Sequence, residues 1–159
     1  MQAEAKPTKP AKIFLSYSHK DERWKDKLLT HLSPMRRQGS IQSWDDRQIK
    51  AGSQWNDEIL KHFNEADVIL CLISPDFINS DYCYEIEAQH ALEKRELGQV
   101  EVIPILLREV DWKKTPFHTL QVIPRDNKPI AGRANKDKAL AEVAQEIDKV
   151  INARNSRET

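Results

Sequence analysis

The segment Ser74-Pro75-Asp76-Phe77-Ile78-Asn79-Ser80-Asp81-Tyr82-Cys83-Tyr84-Glu85-Ile86-Glu87 brings hydroxyls, aromatics, a thiol and carboxylates into one short stretch. It follows Val68-Ile69-Leu70-Cys71-Leu72-Ile73, an apolar run that reads as a buried strand, and it opens what reads as a helix. In open α/β sheets, ligands bind just beyond the carboxyl ends of the strands. A carboxylate there is a candidate for chemistry rather than for packing.

Those residues need a scaffold, and the rest of the chain supplies one. Lys12 to Ser18 reads as a first strand ending in polar residues. Asp21 to Met35 shows helical spacing at Trp24, Leu28, Leu29 and Leu32, closed near Gly39, a candidate left-handed cap. Ile41 to Trp44 is a short second strand, and Asp45 to Ser53 is a polar loop containing Gly52. Trp55 to Ala66 is a second helix, with Trp55, Ile59, Leu60 and Phe63 on one stripe. Val68 to Ile73 is the third strand, Ser80 to Leu97 a helix, and Val100 to Leu107 the fourth strand. Asp111 to Arg133 is irregular and proline-bearing, with a short fifth strand expected near Pro129-Ile130. Lys136 to Asn152 is a final amphipathic helix carrying Leu140, Val143, Ile147, Val150 and Ile151.

Strand and helix alternate throughout. Parallel strands need crossovers, and helices provide them with right-handed topology. The expected fold is therefore α/β: a flavodoxin-like doubly wound sheet of about five parallel strands flanked by helices. One domain is expected over residues 12–152. Residues 1–11, polar and proline-bearing, read as a disordered arm, and residues 153–159 as a polar tail or the start of a linker.

Composition removes several function classes. The chain has 159 residues, enough for one core without disulfide staples. Lys plus Arg equals Asp plus Glu at 25 each, so a dedicated nucleic-acid binder with a basic excess is not expected. Two cysteines without a framework pattern point to a reducing cytoplasm, with Cys71 as inert core. No stretch approaches the ~18 apolar residues of a membrane span, and no membrane partner is expected. There is no GxxxxGK[ST], no GxGxxG after the first strand and no GxSxG elbow. A receiver domain would want acidic residues after the first strand, where Ser16-Tyr17-Ser18-His19 stands instead. Histidines 19, 31, 62, 90 and 118 show no metal spacing with one another or with cysteine.

Phe14-Leu15-Ser16-Tyr17-Ser18 resembles the first signature of Toll/interleukin-1 receptor (TIR) domains. Trp44-Asp45-Asp46-Arg47-Gln48-Ile49-Lys50-Ala51-Gly52-Ser53-Gln54-Trp55 resembles their second strand and BB loop. Ser74 to Glu87 resembles the third signature, S-x-x-F-x-x-S-x-[WY]-C followed by a glutamate, and Ile103-Pro104-Ile105-Leu106-Leu107 the fourth strand. These ordered motifs cover the chain from Lys12 to Ile151, and their details resemble the bacterial branch.

The resemblance implies one of two activities. Many members of that branch cleave NAD⁺ at the nicotinamide–ribose bond, releasing linear or cyclised ADP-ribose; others only assemble with one another as signalling scaffolds. In the first case NAD⁺ is the substrate and no separate cofactor is expected. Pyridinium leaves as neutral nicotinamide, so the acid that glycosidases normally need is dispensable. One carboxylate that stabilises an oxocarbenium-like ribose can suffice.

Family spacing commonly puts the glutamate three residues after the cysteine, which here is Ile86. The tyrosine-cysteine version among bacterial relatives puts it four after, which favours Glu87, with Glu85 the alternate. Either is otherwise a solvated helix carboxylate. Further NAD-binding candidates are Ser18 and His19 past the first strand, Asp45 and Arg47 at the BB loop, and Tyr82 as a stacking aromatic. Their bland counterparts are a helix cap, solvated loop charges and core packing. Gln48, Lys50 and Gly52 are expected in TIR–TIR assembly. The expected setting is bacterial anti-phage immunity, with self-association and a sensor domain in a longer protein as partners.

Overall fold

The computed structural model describes residues 9–44 and 55–157. Strands β1 (Ala11–Ser16), β2 (Ile41–Trp44), β3 (Val68–Ile73) and β4 (Glu101–Leu106) form one parallel sheet in the order β2-β1-β3-β4. The chain leaves β1 toward β2 on one side and leaves β3 toward β4 on the other. The winding direction therefore reverses between β1 and β3, and an open parallel sheet forms its ligand crevice at such a point.

Alternation along the strands explains why both faces are covered. Val68, Leu70 and Leu72 of β3 join Ile13 and Leu15 of β1 on one face. There they meet Leu28 and Leu32 of the first helical hairpin, α1 (Glu22–His31) and α2 (Ser33–Arg37). Leu140, Val143, Ile147 and Ile151 of α6 (Lys136–Arg157) complete that layer. Ile69, Cys71 and Ile73 point the other way with Phe14. They meet Ile59 and Phe63 of α3 (Trp55–Glu65), Phe77 of α4 (Pro75–Asn79) and Ala91 of α5 (Gln89–Glu96). A strand buried on both faces must be apolar at every position, which is why Val68 to Ile73 reads as an unbroken run.

The structure redraws four expected boundaries. Pro34 sits in the first turn of a new helix, α2, so the predicted helix from Asp21 breaks at Leu32. The fifth strand near Pro129-Ile130 does not form: Ile130–Gly132 is a 3-10 turn, and β4 gains only a single parallel bridge, Ile105 to Ile123. Pro124 and Pro129 lack the N–H donors that would extend the ladder. Between α4 and α5 the chain winds as a π-helix, Asp81–Ala88, not as the α-helix the periodicity suggests. At the other end, α6 runs on to Arg157 through the residues expected as tail. Arg154 bonds Asp67 at 2.9 Å and Arg157 pairs with Glu101, tying that helix to the amino edge of the sheet. No helix among the described residues is long and apolar enough to cross a membrane.

Gly39 closes α2 as its position suggests. Its φ is +78° and its N–H donates to Arg36 O at 3.0 Å. A Cβ there would meet no atom within 4 Å, so the backbone conformation alone sets the cost of a side chain. Gly39→Ala is expected to destabilise the fold by about 1 kcal/mol. A melting scan should show a loss of roughly 2–4 °C.

Candidate active site

Ser16 is the last residue of β1 and lies opposite Cys71 in the β1–β3 register. Its side chain is fully buried and its hydroxyl donates to Glu87 Oε1 at 2.5 Å. Glu87 itself is only 8% exposed, an unusual state for a glutamate, which is rarely buried without a partner. Glu85, two residues earlier, is exposed. Residues two apart on a helix point to roughly opposite sides, whereas Cys83 and Glu87, four apart, share the buried side. This stretch winds as a π-helix, closing i→i+5 hydrogen bonds.

Three ties hold this turn. Ser80 caps it, its hydroxyl accepting from Cys83 N at 3.1 Å. The Cys83 thiol donates to Tyr17 O at 3.3 Å, and the Ser16 hydroxyl holds Glu87. Two of these partners come from the carboxyl end of β1. Burial pushes the Cys71 thiol up, and the nearby charge of Glu87 and the Cys83 thiol push it further. Both cysteines are buried and neither forms a disulfide. Neither is expected to react with iodoacetamide in native protein under mildly alkaline conditions, whereas both should after unfolding. Mass spectrometry of the labelled chain measures this.

A second cluster bridges the ends of three strands. Asp21 follows β1 through the 3-10 turn His19–Asp21, Ser74 and Asp76 follow β3, and Arg108 follows β4. Arg108 Nε donates to Asp21 Oδ1 at 2.9 Å, and a terminal nitrogen of the same guanidinium pairs with Asp76. The Ser74 hydroxyl donates to the other Asp21 oxygen and accepts from Phe77 N at 3.0 Å, capping α4. Partial burial works against the Arg108 charge, but the hydrogen bonds it donates to Asp21 and Asp76, with the negative charges of both, outweigh that and hold the guanidinium above its ordinary pKa. Nearby, Lys25 is fully buried, its ammonium 2.9 Å from Asp26 Oδ1 and 5.2 Å from the centre of the Tyr17 ring.

The other expected site residues fall as follows. Ser18 is buried and caps the 3-10 turn, its hydroxyl accepting from Lys20 N at 3.2 Å. His19 is exposed, with its ring 5.9 Å from that of Tyr17. Tyr82 lies in the π-helix. Asp45, Arg47, Gln48, Lys50 and Gly52 lie outside the described residues. Ser16, Asp21, Asp76, Arg108 and Lys25 were not singled out as site residues by sequence. One signal was available for four of them: Ser16 ends a strand, and Asp21, Asp76 and Arg108 each stand a few residues past one.

A parallel four-stranded sheet with helices on both faces and polar groups gathered at its carboxyl edge define a flavodoxin-like α/β protein. The profile of the TIR domain family matches residues 13–145, and the chain belongs to that family. A bacterial relative, the uncharacterized protein y4lF of Sinorhizobium fredii (strain NBRC 101917 / NGR234), is 47% identical over 135 residues. That match takes in 85% of this chain and 42% of the relative, so the chain spans about two fifths of that protein's length. Among solved structures, the TIR domains of the activated Roq1 resistosome, which directly recognizes the pathogen effector XopQ, superpose with a TM-score of 0.53. They share 24% identity over 85% of this chain and 84% of theirs. The TIR domain of the Toll-related receptor TRR-2 from Hydra magnipapillata superposes with a TM-score of 0.50, at 22% identity over 62% of this chain and 72% of its own. Both share the fold.

Proposed function

We propose that this TIR domain is an NAD⁺ glycohydrolase or ADP-ribosyl cyclase with Glu87 as its catalytic carboxylate. One observation carries the reading: a glutamate buried at the carboxyl edge of the sheet, beside the point where the sheet reverses its winding, and held there by a buried serine. Burying a carboxylate costs stability, and such groups gather at functional sites.

In this reaction the bond between ribose C1′ and the pyridinium nitrogen breaks. Its electron pair goes to the nitrogen, and neutral nicotinamide leaves without a proton. Positive charge develops on the ribose, and the Glu87 carboxylate stabilises it. Water then attacks C1′ and loses a proton to give ADP-ribose, or an internal nucleophile of the substrate closes a ring. Ser18 and His19 serve the diphosphate or ribose, Asp45 and Arg47 the mouth of the crevice, and Tyr82 stacks on a base.

Activity is proposed to require self-assembly through the BB loop, with Gln48, Lys50 and Gly52 at the contact, in cytoplasmic bacterial immune signalling against phage. The Roq1 TIR domains belong to an activated assembly, which supports that part by analogy of fold. A sensor elsewhere in a longer protein would trigger it.

The second reading is a TIR–TIR scaffold without turnover. It is favoured by Ile86 and Leu97, which stand 45% and 71% exposed on the π-helix and just after α5, where a second copy would cover them. The test is direct: concentrated protein, free and immobilised on beads, is incubated with NAD⁺ and nicotinamide is followed by mass spectrometry. Release supports the hydrolase. Absence of release in every assembled form leaves the scaffold.

A further inference from the structure

We infer that Ser16 is a positioning residue for Glu87, fixing the orientation of its carboxylate; this rests on the hydrolase reading above. The Ser16 hydroxyl is fully buried and donates to Oε1 at 2.5 Å. The carboxylate plane is thereby set by β1, the rigid central strand, rather than by the helix that bears Glu87.

That division of labour follows from the winding. A π-helix is a rare, single-turn form with weak intrinsic preference, so its own backbone is a poor anchor for a reacting group. The chain compensates from the end of β1: Ser16 holds the Glu87 side chain and Tyr17 O holds the Cys83 thiol one turn earlier. β1 in turn is paired on both sides, by β2 and by β3. Catalytic carboxylates work best when their orientation exists before substrate arrives. A hydroxyl on a doubly paired strand provides that orientation without adding a charge.

The bond predicts a separation of kinetic constants. Ser16→Ala keeps the helix and the glutamate but removes the strand's hold on the carboxylate. A hydrogen bond to a charged group corresponds to roughly 10- to 100-fold in rate. Ser16→Ala should therefore lower kcat by that factor while KM stays within about twofold. Ser16→Thr, which retains the hydroxyl on a strand-compatible side chain, should restore most of the loss. A separate readout does not require turnover: the infrared carboxylate band that disappears in Glu87→Gln should shift in Ser16→Ala and return in Ser16→Thr.

Wild-type kcat in Ser16→Ala, or an unshifted band, would overturn the inference. A fall in rate with a melting point far below wild type and no rescue by threonine would also count against it, as the mark of a packing role. If wild-type protein releases no nicotinamide at all, the hydrolase reading fails. The infrared arm then still decides whether Ser16 holds Glu87.

Discussion

Glu87→Gln is expected to lower nicotinamide release by roughly 10²–10³-fold, the usual effect of removing one preorganised electrostatic contact from a charged transition state. The substitution is nearly isosteric. A glutamine carbonyl can still accept from the Ser16 hydroxyl, so the buried contact at 2.5 Å survives and the melting point should change little. On the proposed mechanism, what disappears is the negative charge that would face the ribose as nicotinamide departs. KM should move much less than kcat, because the positive charge is absent in the ground state of the sugar. Glu85→Gln is the internal control. Its side chain is exposed, and release within about twofold of wild type is the expected result for a solvated surface charge. If Glu85→Gln abolished release and Glu87→Gln spared it, the assignment would be reversed and the role of the π-helical turn would have to be abandoned.

That pair of glutamates also shows what an amino-acid pattern can reveal and where it stops. The unbroken apolar run of β3 and the alternation of strands with helices were legible, because burial on both faces leaves no room for polar residues. The helix after β3 was legible as a helix. Its winding was not: the periodicity suggests an α-helix where the chain closes a π-helix. Motif spacing favoured Glu87, and burial now separates the two. Lys25 hid for a related reason: a lysine in an amphipathic helix reads as surface, yet here it lies against the Tyr17 ring. The helical continuation to Arg157 was masked by polar residues whose partners, Asp67 and Glu101, are remote in sequence and meet them only in the fold, at the amino edge of the sheet. The fifth strand was overread because apolar spacing was weighed above the missing donors of Pro124 and Pro129.

Arg108→Ala is expected to destabilise the fold by about 2–4 kcal/mol, because it strands a buried carboxylate. The Asp21 side chain is 1% exposed, and Arg108 is the cation bonded to it, at 2.9 Å. Without that guanidinium, Asp21 keeps the Ser74 hydroxyl but faces the interior as an uncompensated charge. The melting point should fall by roughly 5–12 °C. Asp76 sits on the outer side of the same guanidinium with 31% of its side chain exposed. Asp76→Ala should therefore cost about 1 kcal/mol or less, since water can replace much of what it provides. Arg108→Lys should fall between the two: a single ammonium cannot reach both carboxylates as the planar fork does. The decisive comparison is Asp21→Asn in the Arg108→Ala background. If the cost comes from a stranded charge, removing that charge must recover part of the stability, and the two substitutions will not add. Strict additivity would mean that Arg108 stabilises the protein by packing alone. Coupling would identify the cluster as the cross-brace that ties the segments after β1, β3 and β4 together at the edge where Ser16 and Glu87 meet.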